Sequence, residues 1–333
     1  MKHLLEVKHL YVDLPLPAGM LHAVRDVSFH LDMGETLSLV GESGCGKSIT
    51  ALALMNILPP KAIRRAEILR FEGTDLLRLP DEQMAALRGS KMAMIFQEPM
   101  TSLDPCYTIG NQLVEAILEH QRISKQEARN RAVYLLDKVG ITGADSRLKQ
   151  YPHQLSGGLR QRIMIAMGLM CGPSLIIADE PTTALDVTIQ AQILELLASL
   201  QREFNMGMIL ITHDLGVVAR VADRLAIMYC GQVVETGPTA DVFSRPMHPY
   251  TRGLLDCIPV PGKTRPGDKL GSIPGIVPTP IGDLFGCSFR NRCSQATADC
   301  TQDVDLLELS PGRAFRCLDR PEMCRPEGLE VRT

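Results

Sequence analysis

Short, strongly apolar segments alternate along the chain with longer segments in which apolar residues recur at every third or fourth position. The short segments predict strands buried on both faces, at 36–40, 92–96, 175–178 and 208–212. The longer segments predict helices, at 47–58, 127–139, 159–170 and 189–200. Because strands that alternate with helices form a parallel sheet covered by helices, the pattern predicts an α/β fold. Two earlier segments predict an added antiparallel β layer, at 4–14 and 24–31.

Composition limits the possible classes of protein. The 333 residues are 45% hydrophobic and 22% charged, which is typical of a chain that forms a globular core. The net charge of −3 gives no general attraction to nucleic acid, so we expect no nucleic-acid partner. No run approaches the roughly 20 apolar residues that span a bilayer, and charges interrupt the N-terminal segment too often for a signal peptide. We therefore expect a cytosolic chain that reaches a membrane only through membrane proteins.

The composition changes after about Cys257. Proline and glycine become frequent between residues 259 and 280, which excludes long helices and central strands from that stretch. The sequence therefore predicts a main domain over 1–257, and over 258–333 a linker followed by a small loop-rich tail domain. We find no internal repeat, so we expect one copy of the main domain and one copy of the tail domain in the chain.

A glycine-rich motif joins the predicted strand at 36–40 to the helix that follows it. It fits the P-loop pattern, in which backbone N–H groups and the positive end of the helix dipole surround phosphates. In this pattern Lys47 reaches the β- and γ-phosphates, and the Ser48 hydroxyl binds Mg²⁺. The alternative is a chance glycine-rich turn, and the correct flanking strand and helix argue against it. The candidate ATP-binding residues of the motif are Gly41, Ser43, Gly44, Cys45, Gly46, Lys47 and Ser48.

Two carboxylates follow the buried strand at 175–178. Asp179 and Glu180 lie where the strands of α/β sheets bind ligands, at the carboxyl end. We expect Asp179 to hold Mg²⁺ through water, and Glu180 to orient or deprotonate an attacking water. An acidic pair that merely opens a loop is the alternative, and the P-loop earlier in the chain makes it the weaker one. Together the two motifs predict a site that binds and hydrolyses ATP.

A serine and two glycines precede the predicted helix at 159–170. Ser156, Gly157 and Gly158, followed by Gln161, offer a second helix start that favours an anion. This stretch resembles the signature motif of the ATP-binding cassette (ABC) family. The resemblance implies a P-loop NTPase fold of the ABC type, with a RecA-like parallel core, an antiparallel β subdomain and an α-helical signature subdomain at about 98–170. It also implies that two cassettes pair head to tail, so that the four named residues of one contact the ATP held by the other.

The other landmarks of the ABC family occur in order. The resemblance implies that Gln97 senses Mg²⁺ and the attacking water, that Asp186 belongs to the D-loop at the dimer interface, and that His213 contacts the γ-phosphate. A structural histidine after an apolar strand is the alternative for His213. One landmark departs from the family pattern, because Leu14 occupies the position where an aromatic residue usually stacks on adenine. Loss of that stacking weakens nucleotide binding by about 1 kcal/mol.

Longer stretches resemble the peptide and nickel importers of the ABC family, and most of all the dipeptide transporter subunits. These stretches are 96–105, 151–154, 180–190, 228–235 and 248–251. The resemblance implies a bacterial importer with a periplasmic binding protein, two permeases and two ATPases, in which this chain pairs with a second, different ATPase. The permeases would hold it at the cytoplasmic face of the inner membrane. The solute, whether dipeptide, oligopeptide, nickel or another, is selected by the other subunits.

Three other classes of ATPase fit the sequence less well. DNA-repair and chromosome-organising cassettes insert a long coiled coil between the two motifs, and Lys47 and Ser156 are too close in sequence to contain one. Translation factors with tandem cassettes need a second P-loop. A regulatory protein without catalysis would not need Glu180 and His213.

The tail contains half of the ten cysteines. Cys287, Cys293, Cys300 and Cys317 are followed by Cys324, which we do not expect to be a ligand. In a cytosolic chain such clustering indicates metal or redox chemistry more than disulfides. Some members of the subfamily that the tail resembles carry a [4Fe–4S] cluster on four such cysteines. Four thiolates also hold zinc, and the spacings fit neither ferredoxin runs nor paired CxxC sites. A [4Fe–4S] cluster, a zinc ion and free thiols therefore all stay open.

Overall fold

The computed structural model describes residues 3–97, 102–182, 186–258, 271–282 and 284–318. The strands in these ranges are β1 (Leu5–Leu16), β2 (Gly19–Leu31), β3 (Thr36–Val40), β4 (Ile63–Arg65), β5 (Ile68–Phe71), β6 (Thr74–Asp75), β7 (Met92–Ile95), β8 (Leu175–Asp179), β9 (Gly207–Thr212), β10 (Arg224–Tyr229), β11 (Gln232–Pro238), β12 (Leu307–Ser310) and β13 (Arg313–Phe315). The described helices are α1 (Lys47–Met55), α2 (Asp81–Leu87), α3 (Ile109–Leu118), α4 (Lys125–Lys138), α5 (Ala144–Arg147), α6 (Gly157–Gly168), α7 (Val187–Phe204), α8 (Leu215–Val221), α9 (Thr239–Ser244) and α10 (Pro249–Asp256). Single turns of 3₁₀ helix lie at Pro152–Gln154 and Ala298–Thr301.

Five parallel strands form the centre of the larger sheet, in the order β10-β3-β9-β8-β7. Every residue of β3, β8 and β9 is buried, as the nearly continuous apolar sequence predicts for strands covered on both faces. The register places Leu39 beside Ile211 and Ile177 beside Ile209. Because all five strands run in the same direction, their carboxyl ends meet along one edge of the sheet. The parallel core predicted from the sequence is confirmed.

Apolar side chains from two helices cover the two faces of this sheet. On one face, Ile193 of α7 belongs to the same buried cluster as Ile176. On the other face, Leu54 of α1 belongs to the cluster that contains Ile177. The alternation of residues 176 and 177 between the two clusters follows from the two-residue period of a strand. Both faces of the sheet are therefore covered by apolar side chains.

An antiparallel sheet lies N-terminal to this core, in the order β2-β1-β5-β6, with β4 also paired to β1. Leu5 lies beside Leu31 and Leu14 beside Leu21 in the register of β1 and β2. This layer is confirmed, and it is larger than the two segments predicted. The strands β4 to β6 were not predicted, because each has at most four residues and so gives almost no periodic signal.

The helical part packs around the same apolar cluster that covers the Ile176 face of the sheet. Leu113 of α3, Leu135 of α4 and Ile163 of α6 are all fully buried in it. The start of α4 is fixed by a capping box, in which Glu127 N–H donates to Ser124 Oγ and the Glu127 carboxylate accepts from Ser124 N–H. This cap places the first residue of the helix two positions earlier than its apolar periodicity indicated. Over the residues described, we find no helix with the length and apolar character needed to cross a bilayer.

The tail joins both sheets, which the sequence did not predict. β13 pairs with β11, and β12 pairs with β13, so the larger sheet gains two strands at one edge. His22 N–H donates to the Pro280 carbonyl oxygen at 2.8 Å, and Arg316 pairs with Asp26 at 2.8 Å. Most of 271–318 is irregular in structure, in line with its proline and glycine content. The linker at 259–270 and Cys324 lie outside the described residues.

Candidate active site

The glycine-rich motif forms a closely packed turn between β3 and α1. A Cβ added at Gly41 would lie 2.2 Å from the Met228 carbonyl oxygen, and one added at Gly46 would lie 2.4 Å from that of Ala23. Gly44 has a φ of 78°, in the left-handed region that glycine adopts without steric cost. Gly46 supplies no side-chain cap to α1, so no capping side chain competes with a phosphate for the N–H groups at the start of this helix.

Lys47 lies inside this turn and is only 4% exposed. Its Nζ donates to the carbonyl oxygens of Gly41 at 2.8 Å and Glu42 at 3.1 Å. Cys45 is fully buried, and burial raises the pKa of its thiol, so this cysteine packs as an apolar residue. Ser43 is exposed. The ammonium group therefore lies within the turn, where phosphate oxygens could replace these two carbonyl oxygens as its hydrogen-bond acceptors.

A hydrogen bond joins the start of α1 to the end of β8. Ser48 Oγ donates to Asp179 Oδ1 at 2.9 Å. Burial raises the pKa of Asp179 and the neighbouring Glu180 adds to this, whereas the Ser48 hydrogen bond and Lys47 act in the opposite direction. A hydroxyl and a carboxylate are ligands that Mg²⁺ prefers, and a cation there would favour the ionised carboxylate. The structure thus brings together two of the predicted magnesium ligands.

Three predicted catalytic side chains meet at the same edge of the sheet. Glu180 Oε2 accepts from Gln97 Nε2 at 3.3 Å and lies 3.6 Å from His213 Nδ1. Gln97 follows β7, Glu180 follows β8 and His213 follows β9, so the parallel order of the strands places them side by side. Glu180 has a φ of 44°, which is uncommon for a residue with a side chain and indicates a constrained backbone.

The signature residues begin α6 and face outward. Ser156 is the N-cap residue, and Ser156 and Gly157 are exposed, whereas Gly158 packs near Ile189 of α7.

Gln161, four residues into the same helix, is buried and not exposed. Its side chain is 1% exposed, and its Nε2 has no hydrogen-bond partner within the described residues. The predicted contact of Gln161 with ATP on a partner cassette does not agree with this burial, because a side chain enclosed by its own subunit does not reach across an interface.

Two further predicted residues lie at element ends. Asp186 is exposed and caps α7, since its Oδ1 accepts from Ile189 N–H at 3.0 Å. The rest of the predicted D-loop, 184–185, lies outside the described residues. Leu14 is half-buried, lies beside Leu21 of β2 and packs against the core cluster that also contains residues of β3 and α1.

A groove of about 810 Å³ lies between the sheet core and the helical part. It runs past Phe96, which is 42% exposed and directly precedes Gln97. Glu115 of α3 and Glu119, the residue that follows this helix, add charge to its lining. Much of its apolar wall is methionine, a flexible side chain that adapts to a partner surface. Apolar residues of its lining include Met55, Met94, Phe96, Ala116, Met164 and Met167. Sequence reasoning missed this groove, because its walls come from four separate elements.

Four tail cysteines line one cavity of about 220 Å³, which we call the cysteine cavity. They are Cys287, Cys293, Cys300 and Cys317. Backbone N–H groups donate to two of these sulfurs, from Gln295 to Cys293 at 3.4 Å and from Thr297 to Cys300 at 3.5 Å. Burial raises the pKa of the Cys287 thiol, with Cys300 and Cys293 adding to the effect. The cavity thus gathers four sulfur ligands around one space.

A zinc site needs its sulfur ligands close together. Zinc with Zn–S bonds of about 2.3 Å holds its sulfurs about 3.8 Å apart in a tetrahedron. Within the described ranges, the group of three or more His, Cys, Asp and Glu ligand atoms found within 4.8 Å of one another is His3, His30 and Asp32, and it includes no cysteine. Within the described residues, no three of the four sulfurs therefore lie within 4.8 Å of one another.

Known proteins resemble this chain over nearly its whole length. It is 49% identical to the oligopeptide transport ATP-binding protein AppD of Bacillus subtilis (strain 168), over 95% of this chain and 97% of AppD. It is also 49% identical to the dipeptide transport ATP-binding protein DppD of the same organism, over 95% of this chain and 92% of DppD. The ABC transporter family matches residues 24–183. The chain belongs to the ABC transporter ATPases. This ABC ATPase also matches the oligopeptide/dipeptide transporter C-terminal region, over residues 234–300.

Solved ABC cassettes have the same fold. The dimeric post-hydrolysis structure of the cassette MJ0796 bound to ADP and Pi has a TM-score of 0.63 and 26% identity, covering 71% of this ABC ATPase and 98% of MJ0796. The structure of cbiO1 from Clostridium perfringens, part of the ABC transporter complex cbiONQ, has the same TM-score and identity, with coverages of 74% and 92%. The predicted ABC-type P-loop NTPase fold and ATPase class are confirmed, and binding of ATP with Mg²⁺ follows from them.

The buried lysine gives a direct test of the phosphate site. Lys47→Ala should raise the Kd for ATP in the presence of Mg²⁺ by roughly 10- to 100-fold, because a charge-assisted hydrogen bond is worth about 1.5–3 kcal/mol. Isothermal titration calorimetry on the full chain measures this Kd. Lys125→Ala, at an exposed lysine of α4, is the control and should leave the Kd unchanged. Equal affinities for ATP in the two variants would remove Lys47 from the site.

Proposed function

We propose that this ABC ATPase energises the import of dipeptides or oligopeptides across a bacterial inner membrane, from its cytoplasmic face. The supporting observation is the combination of one complete set of hydrolysis residues at a sheet edge with a C-terminal region of the oligopeptide/dipeptide type. Relatives named for oligopeptide and dipeptide transport support the choice of solute. The second candidate is the same role in an importer of nickel or another small solute, which the same ATPase chemistry would serve.

The chemistry proposed follows the geometry of the sheet edge. The phosphates of ATP lie against the turn at 41–48 and the start of α1, where Lys47 donates to them. Ser48, Asp179 and Gln97 would hold Mg²⁺, which neutralises charge on the phosphates. Glu180 then orients the attacking water and accepts its proton, and its contacts with the Gln97 amide and the His213 ring hold the carboxylate in place.

A second cassette completes the proposed site. Ser156 and Gly157 are exposed at a helix start with its N–H groups directed outward, so they are available to a phosphate bound by another subunit. The exposed Asp186 would lie near the same interface. The dimeric cassette MJ0796 supports such an arrangement. We propose a different ATPase subunit as the partner, which makes a heterodimer. A periplasmic binding protein would deliver the solute to two permeases.

The role of Glu180 has a distinctive consequence for assembly. Glu180→Gln keeps the size of the side chain but removes the base, so turnover should fall by about 10²- to 10⁴-fold while ATP still binds. The complex should then remain as an ATP-bound dimer. Size-exclusion chromatography with bound-nucleotide analysis measures this, and phosphate release measures turnover.

Glu195→Gln provides the matched control for this substitution. Glu195 is exposed on α7, so turnover and assembly should both match those of the unmodified chain. Undiminished phosphate release by Glu180→Gln would refute the role assigned to Glu180.

The groove is the proposed docking site for a permease. Its occupant would be an apolar helical segment of a permease, since the groove is lined by methionine and Phe96 and ends beside Gln97. A segment bound there would press on the residue before Gln97, whose amide contacts Glu180. This contact links the docking of a permease to the hydrolysis site.

Filling the groove tests the docking proposal. Ala116→Arg places a long charged side chain among the apolar walls, so co-purification with co-expressed permeases should fall at least tenfold, while the Kd for ATP of the isolated chain stays the same. Gln126→Arg adds the same charge at an exposed position of α4 and should leave co-purification intact. Full recovery of the permeases with Ala116→Arg would place the docking site elsewhere.

For the tail we propose a [4Fe–4S] cluster held by Cys287, Cys293, Cys300 and Cys317. Support comes from the shared cavity and from the N–H groups that donate to two of the sulfurs, since hydrogen bonds to sulfur tune such clusters. The cluster would supply a stable covalent link between segments that lack a large core of their own.

Metal analysis after anaerobic purification tests the cluster. The unmodified chain should be brown and contain about four iron and four sulfide per chain, as the cluster formula requires. Cys287→Ser should lose the colour and most of the iron, whereas Cys106→Ser, at an exposed cysteine of the helical part, should keep both. A colourless preparation with one zinc, or with no metal, would contradict the proposal.

A further inference from the structure

An arginine of the tail reaches the phosphate-binding turn. Arg292 lies directly before Cys293, and its side chain is 4% exposed. Its Nη1 donates to Glu42 Oε2 at 2.7 Å and its Nη2 donates to Glu42 Oε1 at 3.0 Å, a bidentate pair. Glu42 is the second residue of the glycine-rich motif. The two residues are 250 positions apart in the chain.

The remaining donors of Arg292 are also used. Nε donates to the Pro274 carbonyl oxygen at 2.8 Å, Nη2 to that of Ile273 at 3.2 Å, and Nη1 to Tyr229 Oη at 3.4 Å. With the two bonds to Glu42, all five N–H groups of the guanidinium have an acceptor. A buried arginine with every donor satisfied has a single orientation, so it fixes the position of whatever it holds.

Glu42 is held at its backbone as well as at its side chain. Its N–H donates to Tyr250 Oη at 3.0 Å, and its carbonyl oxygen accepts from Lys47 Nζ at 3.1 Å. Tyr250 packs against Tyr229 and Phe289, with ring centroids 4.8 and 5.3 Å away. The turn is therefore supported from behind by an aromatic cluster and by Arg292, both outside the motif itself.

We propose that Arg292 is a positioning residue for ATP binding. Through its contact with Glu42, Arg292 holds the phosphate-binding turn in the conformation that binds ATP. The turn must keep its N–H groups convergent before nucleotide arrives, and preorganisation of this kind raises affinity by removing the cost of ordering. The segment that carries the cysteines is thus part of the nucleotide site. The proposal depends on ATP binding by the family, and it holds whether or not the cysteine cavity contains a metal.

The test compares two ion pairs that join the tail to the rest of the protein. Arg292→Gln should raise the Kd for ATP about tenfold, which is the loss of about 1.4 kcal/mol, while kcat of the assembled transporter at saturating ATP changes less than threefold. Arg316→Gln breaks a comparable buried pair, with Asp26 at 2.8 Å, away from the turn. It should lower the melting temperature similarly and leave the Kd within twofold of the unmodified chain.

A double-mutant cycle separates positioning from general stability. Glu42→Gln leaves Arg292 in place and should also raise the Kd for ATP about tenfold. The double variant, Glu42→Gln with Arg292→Gln, should have a Kd for ATP no higher than that of either single variant. If Arg292→Gln does not fold, Glu42→Gln and Arg292→Lys carry the same comparison, since lysine keeps the charge but loses the bidentate contact. Equal Kd values for Arg292→Gln and Arg316→Gln, or fully additive effects in the cycle, would overturn the proposal.

Discussion

The active site depends on one hydrogen bond, from Ser48 to Asp179. It joins the start of α1, the helix that follows β3, to the end of β8, and β9 lies between these two strands in the sheet. Both strands are buried on both faces, so the apolar core holds in place the segments that carry Ser48 and Asp179. Glu180 and His213 then need no separate mechanism of assembly, since each follows a strand that ends at the same edge. The hydrophobic core thereby fixes the positions of polar groups that have little affinity for one another.

The tail contributes to this arrangement from behind the phosphate-binding turn. β13 extends the larger sheet, Arg316 pairs with Asp26 of β2, and Arg292 pairs with Glu42. A short segment rich in proline and glycine buries little apolar surface of its own, so such contacts with the main domain supply much of its stability. The contact between Arg292 and Glu42 therefore holds both the tail and the phosphate-binding turn in place.

The helical part presents two different surfaces. One carries Ser156 and Gly157 at the start of α6, directed outward, and the other forms a wall of the groove through Met164 and Met167 of the same helix. A shift of α6 would therefore change both surfaces together. Gln161 lies between them in sequence and is enclosed by its own subunit, where it contributes to packing of the helix.

The sequence by itself determined the parallel core, the antiparallel layer, the P-loop and the acidic strand end, because each depends on local periodicity or on neighbouring residues with a fixed chemistry. Its resemblance to the ABC family also pointed to Gln97 and His213. Only the tertiary structure decided which side chains meet across long separations: the Arg292 contact with Glu42, the groove built from four elements, the gathering of the cysteines and the burial of Gln161. These depend on how helices and loops pack on the sheet, and packing between residues hundreds of positions apart leaves no periodic signal in the sequence.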